Sequence, residues 1–367
     1  MRNHNFRYPV TTLIGSRPGN LLDISSEYKV NPGYKAKFLL SGLVSALLEP
    51  FCLTEELIYG KRLRNFSPKV PPVFIIGFWR SGTTFLHNLL CCDPRAAFTT
   101  TFQAVFPNLM MTQSWWLKPF ANRFLPVNRP YDSVRMDMDF PQEEDFGMMN
   151  LQPSTIYKFF LYPQDFDRIL EQELFTGNLG HDRLDKWKSA YLSMMAKACM
   201  NTGGNRYIGK NPCHLARIPI LLEMFPGAKF IFIHRHPAQV IESLYRFTLS
   251  IFPGVQLQNL PGSYDRRKVS DLYCLMMNAY FRDRNKIPES DLYETGLEDF
   301  TSDIRSHLKT IYSKFNLGDY GLASPKIEDY LKGNMKLNHS PAPPEEETLE
   351  IVEQCAAEIM KKLGYSL

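Results

Sequence analysis

The run VFIIG at Val73–Gly77, opening through Phe78, Trp79, Arg80, Ser81 and Gly82 into a helical pattern at Thr83–Leu90, constrains the fold of this chain more than any other stretch. A short, wholly apolar, β-branched run with no polar alternation reads as a strand buried on both faces, and such strands belong to parallel sheets. The pattern recurs. KFIFIH at Lys229–His234 leads through Arg235, His236 and Pro237 into AQVIESLYRF, a second strand-to-helix unit. RYIGK at Arg206–Lys210 predicts a third strand, closed by Pro212, and His181–Met200 has the periodicity of a helix. Strands alternating with helices predict an α/β sheet.

At 367 residues the chain suits one large α/β domain or two smaller ones, with a core that needs no disulfide staples. Lys and Arg number 42 against 38 Asp and Glu, and a net charge of +4 is too mild for non-specific nucleic-acid binding. Seven cysteines without a CxxC pair or metal-like Cys/His spacing predict thiols in a reducing compartment, hence a cytoplasmic protein and no metal. The first residues lack a secretory signal. Residues 1–70 read as an N-terminal helical extension. Within them FLLSGLVSALLEPF at Phe38–Phe51, about fourteen residues broken by Glu49 and Pro50, is too short to cross a bilayer. It predicts a helix packed on the core; the alternative is an interfacial helix followed by the basic cluster Lys61, Arg62 and Arg64. Residues 71–367 form the main domain, with an insertion at about 102–162 rich in Trp, Phe and Met, weakly periodic and expected to form part of an apolar cleft. PAPPEEE at Pro341–Glu347 caps a terminal helix at Thr348–Leu363.

Gly77 to Thr84 spell G-x-x-x-x-G-T-T, the frame in which backbone N–H groups and a helix N-terminus cradle phosphate oxygens. The lysine that nucleotide triphosphatases use to reach the outer phosphates is absent: Thr83 stands there, and the cation has moved inside the loop to Arg80. The strand Lys229–His234 likewise continues into Arg235 where such enzymes often present a metal-binding Asp, so magnesium is repelled and phosphate attracted. Ser243, eight residues on and two helical turns along, can share an anion with Arg235. Two anion sites without a metal suit a nucleotide carrying phosphates at separate positions, such as 3′-phosphoadenylyl sulfate (PAPS).

At these residues the sequence resembles the PAPS-dependent sulfotransferase family, and YIGKNPCHLARIPILLEMFPGAKFIFIHRHPAQVIES is similar to its bacterial branch. The resemblance implies a three-layer α/β/α, P-loop-like fold with a central parallel sheet. It implies that Arg80, Ser81, Gly82, Thr83 and Thr84 hold the 5′-phosphosulfate, and that Arg235 and Ser243 hold the 3′-phosphate. Lys210, ending a strand, takes the place of a lysine that approaches the sulfonate in that family; a solvated strand terminus is the alternative. The base stays open. His214 is a candidate because an imidazole can accept the proton of an attacking alcohol, but it lies two positions past the family's K-T-H register, and a capping or core histidine is an equal reading. Glu143 and Glu144, in the run PQEED, resemble an acidic element of bacterial members; a solvated cluster at a helix start is the alternative.

The resulting expectation is metal-independent, in-line transfer of a sulfuryl group to a hydroxyl of a lipophilic small molecule, sterol or lipid-like, with Arg80 and Lys210 stabilising charge. Two alternatives are an ATP-dependent kinase or NTPase with a degenerate loop, and a non-catalytic protein of the membrane surface. No nucleic-acid partner is expected; peripheral membrane contact is the alternative that goes with an interfacial Phe38–Phe51 helix. Cys91 and Cys92 read as small buried residues; the resemblance implies that Tyr293 and Glu294 are a structural pair on a strand; and Arg266, Arg267 and Lys268 read as a solvated basic run, the resemblance implying as the alternative a loop that closes over the nucleotide.

Overall fold

The computed structural model describes residues 9–124, 136–334 and 343–366. The described helices are, in chain order, α1 (Pro18–Glu27), α2 (Lys35–Arg64), α3 (Thr83–Leu90), α4 (Thr101–Val105), α5 (Ser114–Asn122), α6 (Glu144–Leu151), α7 (Phe166–Glu173) and α8 (His181–Thr202). They continue as α9 (Ile218–Met224), α10 (Pro237–Val255), α11 (Arg266–Asp283), α12 (Leu297–Ser302), α13 (Ile304–Lys314), α14 (Ser324–Asn334) and α15 (Glu346–Leu363). The strands are β1 (Val73–Ile76), β2 (Ala96–Ala97), β3 (Arg206–Lys210), β4 (Lys229–His234) and β5 (Leu292–Gly296). Two compact units result: the N-terminal residues to Ser67 with Thr99–Asn201 and Phe247–Tyr264, and a second from Pro68–Phe98, Thr202–Arg246 and the residues from Asp265 onward.

The second unit holds the sheet, in the order β2-β3-β1-β4-β5 with every pairing parallel. The apolar strands explain how both of its faces are filled. Side chains alternate across a strand, so Val73, Ile75, Ile231 and Ile233 reach one face, where they meet Leu86 and Leu89 of α3 and Leu308 and Ile311 of α13. Phe74, Phe230 and Phe232 reach the other. There Phe74 lies 5.7 Å from Phe225, and Phe232 stacks on Tyr280 of α11 at 3.9 Å. These aliphatic residues and the phenylalanines thus occupy opposite faces, each covered by helices, in the three-layer α/β/α arrangement expected. Tyr293 and Glu294 lie on β5, as read.

The chain fills one side of β1 with β2 and β3, then crosses to its other side for β4 and β5. In open parallel sheets such a reversal opens a crevice at the carboxyl ends of the strands. The residues following β1, β3 and β4 therefore emerge next to one another.

The first unit departs from the sequence reading in two respects. Residues 102–162 are largely helical where described, as α4, α5, α6 and a 3₁₀ segment at Ile156–Phe160. Helices of one or two turns show too little of a period to be read from sequence, and these are fixed by tertiary contacts and local caps, such as the Thr100 hydroxyl accepting from the Gln103 N–H at 3.2 Å. The segment Phe38–Phe51 is part of one continuous helix that runs through Glu49 and Pro50 to Arg64 and is, by length and composition, long and apolar enough to cross a membrane, and most of its leucines face outward, so both the expected break and the expected core packing are corrected. Its buried positions are Ser41, Ser45, Cys52, Glu55 and Gly60. Polar contacts on this side anchor it: Ser41 Oγ accepts from Thr11 N at 2.8 Å, the part-buried Glu49 bonds Arg17 at 2.6 Å, and Glu55 meets the Lys197 ammonium at 2.6 Å.

Candidate active site

The loop after β1 is shaped by backbone geometry. Gly77 has φ of 156°, and a Cβ there would lie 2.3 Å from the Ile233 carbonyl oxygen, so only glycine lets the loop pass β4 this closely. Arg80 adopts a left-handed φ of 70°, a conformation that costs a non-glycine residue energy and is typical of functional loops. Phe78 and Trp79 anchor the loop by burying their rings edge to face at 5.3 Å, with Phe78 also against Tyr273 at 5.0 Å. The chain turns again at Gly82, φ 90°, and α3 begins at Thr83. Ser81 and Thr83 are buried and Thr84 is half-buried. No side chain caps the helix, so its first-turn N–H groups and the positive end of its dipole meet the loop.

Arg80 is directed toward the next strand unit. Its Nε donates to Ser243 Oγ on α10 at 3.0 Å. Arg235, leaving β4, is mostly buried; its Nε makes no hydrogen bond and its nearest carboxylate is Glu298 at 3.8 Å. Burial, and secondarily the charge of Arg80, hold the Arg235 guanidinium below its usual range, while Glu298 opposes that shift. Two guanidinium groups that feel one another, with a serine hydroxyl between their elements, form a cationic surface that an anion relieves. Lys210 is the last residue of β3, buried and in register with Ile75 of β1, so it ends one strand away from the Gly77–Gly82 loop.

The remaining predicted residues are placed as follows. His214 lies in a 3₁₀ turn at Pro212–Ala216, fully buried and edge-on to Phe74 at 5.3 Å. Glu143 and Glu144 belong to the first unit and open α6, Glu143 at the N-cap and Glu144 in the first turn. They do begin a helix, but Glu144 is fully buried and accepts from the Tyr191 hydroxyl at 3.1 Å, while the half-buried Glu143 accepts from the Tyr157 hydroxyl. The solvated-cluster alternative is therefore not what the fold contains.

In the basic run Arg266 and Arg267 are half-buried and paired, which corrects the solvated reading for these two. Arg266 donates to Glu242 at 2.9 Å and pairs with Glu345 at 2.6 Å, and Arg267 donates to Gln354 at 2.7 Å, tying α11 to α10 and α15.

Sequence reasoning missed the wall beside Arg235. Tyr365 donates to Glu298 at 3.1 Å and meets His234 Nδ1 at 3.1 Å, and burial lowers the His234 pKa. Glu298 was findable, because it follows the strand YETG that pairs with β4. Tyr365 carried no local signal.

A parallel sheet whose central strand opens into a glycine loop without a P-loop lysine, with Arg80 bonded to Ser243 beside Arg235 on the adjacent strand unit, is the arrangement expected of a sulfuryl-transfer enzyme. The chain belongs to the sulfotransferase family, whose sequence model matches residues 71–319. It is 28% identical over 318 residues to the omega-hydroxy-beta-dihydromenaquinone-9 sulfotransferase Stf3 of Mycobacterium bovis and of Mycobacterium tuberculosis, covering 85% of this chain and 80% of those proteins. Among solved structures, its fold is similar to that of sulfotransferase STF9 of Mycobacterium avium, with a TM-score of 0.68 and 18% identity over 95% of this chain and 90% of that one. Sulfotransferase STF1 of Mycobacterium tuberculosis gives a TM-score of 0.64 at 18% identity, covering 92% and 90% of the two chains. Membership of this family sets aside the kinase and non-catalytic alternatives.

Proposed function

We propose that this sulfotransferase takes PAPS as donor and a hydroxyl of a lipophilic small molecule as acceptor. The observation that carries the donor reading is the convergence of Arg80, Arg235 and Ser243. In this reading Arg235 and Ser243 take the 3′-phosphate, while Arg80, Ser81, Gly82, Thr83 and Thr84 take the 5′-phosphosulfate on the N-terminus of α3. The acceptor oxygen attacks sulfur in line. The new O–S bond forms as the S–O bond to the 5′-phosphate breaks, the bonding pair leaves with the phosphate oxygen, and the acceptor proton passes to a base. Arg80 and Lys210 offset charge on the leaving phosphate and the transferring sulfuryl group. No residue in this scheme needs a metal.

Of the base candidates, Glu143 best combines a fixed carboxylate with access: it is half-buried, whereas His214 and Glu144 are fully buried. The lipophilic class of acceptor is supported by the aromatic and methionine content of residues 102–162, and by the relative Stf3, named for a hydroxylated menaquinone derivative.

Calorimetric titration with 3′-phosphoadenosine-5′-phosphate, in chelator, tests the donor. Binding is expected, and Arg235→Ala should weaken it about ten- to a hundredfold, the worth of a charge-assisted phosphate contact. Absence of binding to the unaltered protein overturns the donor assignment. With PAPS and a panel of sterol, isoprenoid and long-chain alcohols beside hydrophilic sugars, turnover confined to the sugars overturns the acceptor class. On the best acceptor, Glu143→Gln is expected to abolish most turnover with donor affinity intact. Were the loss to fall on His214→Asn or Glu144→Gln instead, the base would be reassigned.

A further inference from the structure

Helix α2 turns apolar side chains to the outside, the reverse of what a surface helix normally does. At 100° per residue, Leu39, Leu43, Leu47, Phe51, Leu57 and Ile58 fall within an arc of about 120°. All six are exposed, Leu57 to 85%. The opposite arc, with Ser41, Ser45, Cys52 and Glu55, is buried. A contiguous leucine face in water is unfavourable, and a patch of this kind marks a surface that meets another apolar phase.

The patch extends onto α5. Phe51 of α2 contacts Trp116 at 6.3 Å, and Leu48 and Cys52 pack with Trp116, Leu117 and Ala121. From this seam α5 exposes Trp115, to 78%, and Phe120, with Phe124 exposed just beyond it. Both ends of the leucine stripe are cationic and exposed: Lys29 and Lys35 at one end, Lys61, Arg62 and Arg64 at the other.

We propose that this face of the first unit docks on an anionic lipid surface, with the leucine stripe and Trp115 entering the acyl boundary and the terminal cations meeting headgroup phosphates. The charge pattern selects a lipid surface over a second copy of the chain, because a self-associating face would bring these cations together. Helix α2 lies along the surface and does not span. Its polar side is held by hydrogen bonds and ion pairs from Ser41 to Glu55, roughly 21 Å of helix at 1.5 Å per residue, and crossing the bilayer would strip them. This surface supplies a route to lipophilic molecules, but its test uses neither donor nor acceptor, so its failure and that of the donor reading are separable.

The experiment is flotation of the full chain with vesicles of phosphatidylcholine alone and of phosphatidylcholine mixed with phosphatidylglycerol, with sedimentation analysis of the protein alone. Binding to the mixed vesicles is expected to exceed binding to neutral ones. The triple variant Leu43→Gln, Leu47→Gln, Leu57→Gln should weaken it about tenfold or more with an unchanged circular dichroism spectrum. The variant Lys61→Gln, Arg62→Gln, Arg64→Gln should remove the preference for anionic lipid and its salt sensitivity. No flotation, flotation indifferent to both variants, or a dimer that the leucine variant dissociates without any vesicle binding would each overturn the proposal, the last in favour of a second copy.

Discussion

Replacing Lys210 by alanine is expected to lower kcat by about a hundred- to a thousandfold while changing the affinity for 3′-phosphoadenosine-5′-phosphate by less than about threefold. The split follows from the proposed role. A cation aimed at the transferring sulfuryl group acts where charge develops in the transition state, and the product nucleotide lacks that group. Lys210 is buried at the carboxyl end of β3, beside β1, where a fixed ammonium need not reorganise and where low polarity strengthens its field. Steady-state kinetics on the best acceptor, with product titration in parallel, checks this. Equal losses in turnover and nucleotide affinity would make Lys210 a phosphate ligand, and no loss in either would return it to a strand terminus without a part in the reaction.

Glu55→Ala is expected to destabilise the protein by about 3–5 kcal/mol, the usual consequence of leaving one member of a buried ion pair without the other. Glu55 is buried and accepts from Lys197 Nζ at 2.6 Å, from the Met111 and Thr112 N–H groups at 2.9 and 3.1 Å, and from the Thr112 hydroxyl at 3.2 Å. Its removal strands the Lys197 ammonium, itself buried, with the Pro107 carbonyl as a remaining partner. Chemical denaturation measures the loss, and a double-mutant cycle with Lys197→Met separates the stranded charge from the lost backbone contacts. If Glu55→Ala cost less than about 1 kcal/mol, the pair would be screened by water and the anchoring of α2 would rest on its serines.

The parts of the fold legible in the sequence are those written in local pattern. The boundaries of β3, β4 and α3 coincide with the apolar runs and glycine turns that predicted them, and β1 ends one residue short of Gly77. The same is true of the Gly77–Gly82 loop: its glycine spacing is a backbone requirement, visible as the left-handed φ at Gly82 and the close pass at Gly77. Residues 102–162 were read poorly, because helices as short as α4 are held by neighbours and carry too little periodicity of their own.

By itself, then, the sequence determined a parallel α/β sheet, a glycine loop of P-loop spacing with arginine inside it and no lysine, and an arginine–serine pair eight residues apart. All three depend on conformation over a few residues. Only the tertiary structure decided what meets what. It brought Arg80 onto Ser243, 163 positions away, closed Glu298 and Tyr365 around Arg235, buried Glu144, and turned the leucines of α2 outward. The physical reason is that periodicity reports how a segment is wound and not which of its faces is inside. The buried face is set by the sum of long-range contacts, and in α2 polar contacts from Thr11, Arg17 and Lys197 claim the side that an apolar rule assigns to leucine.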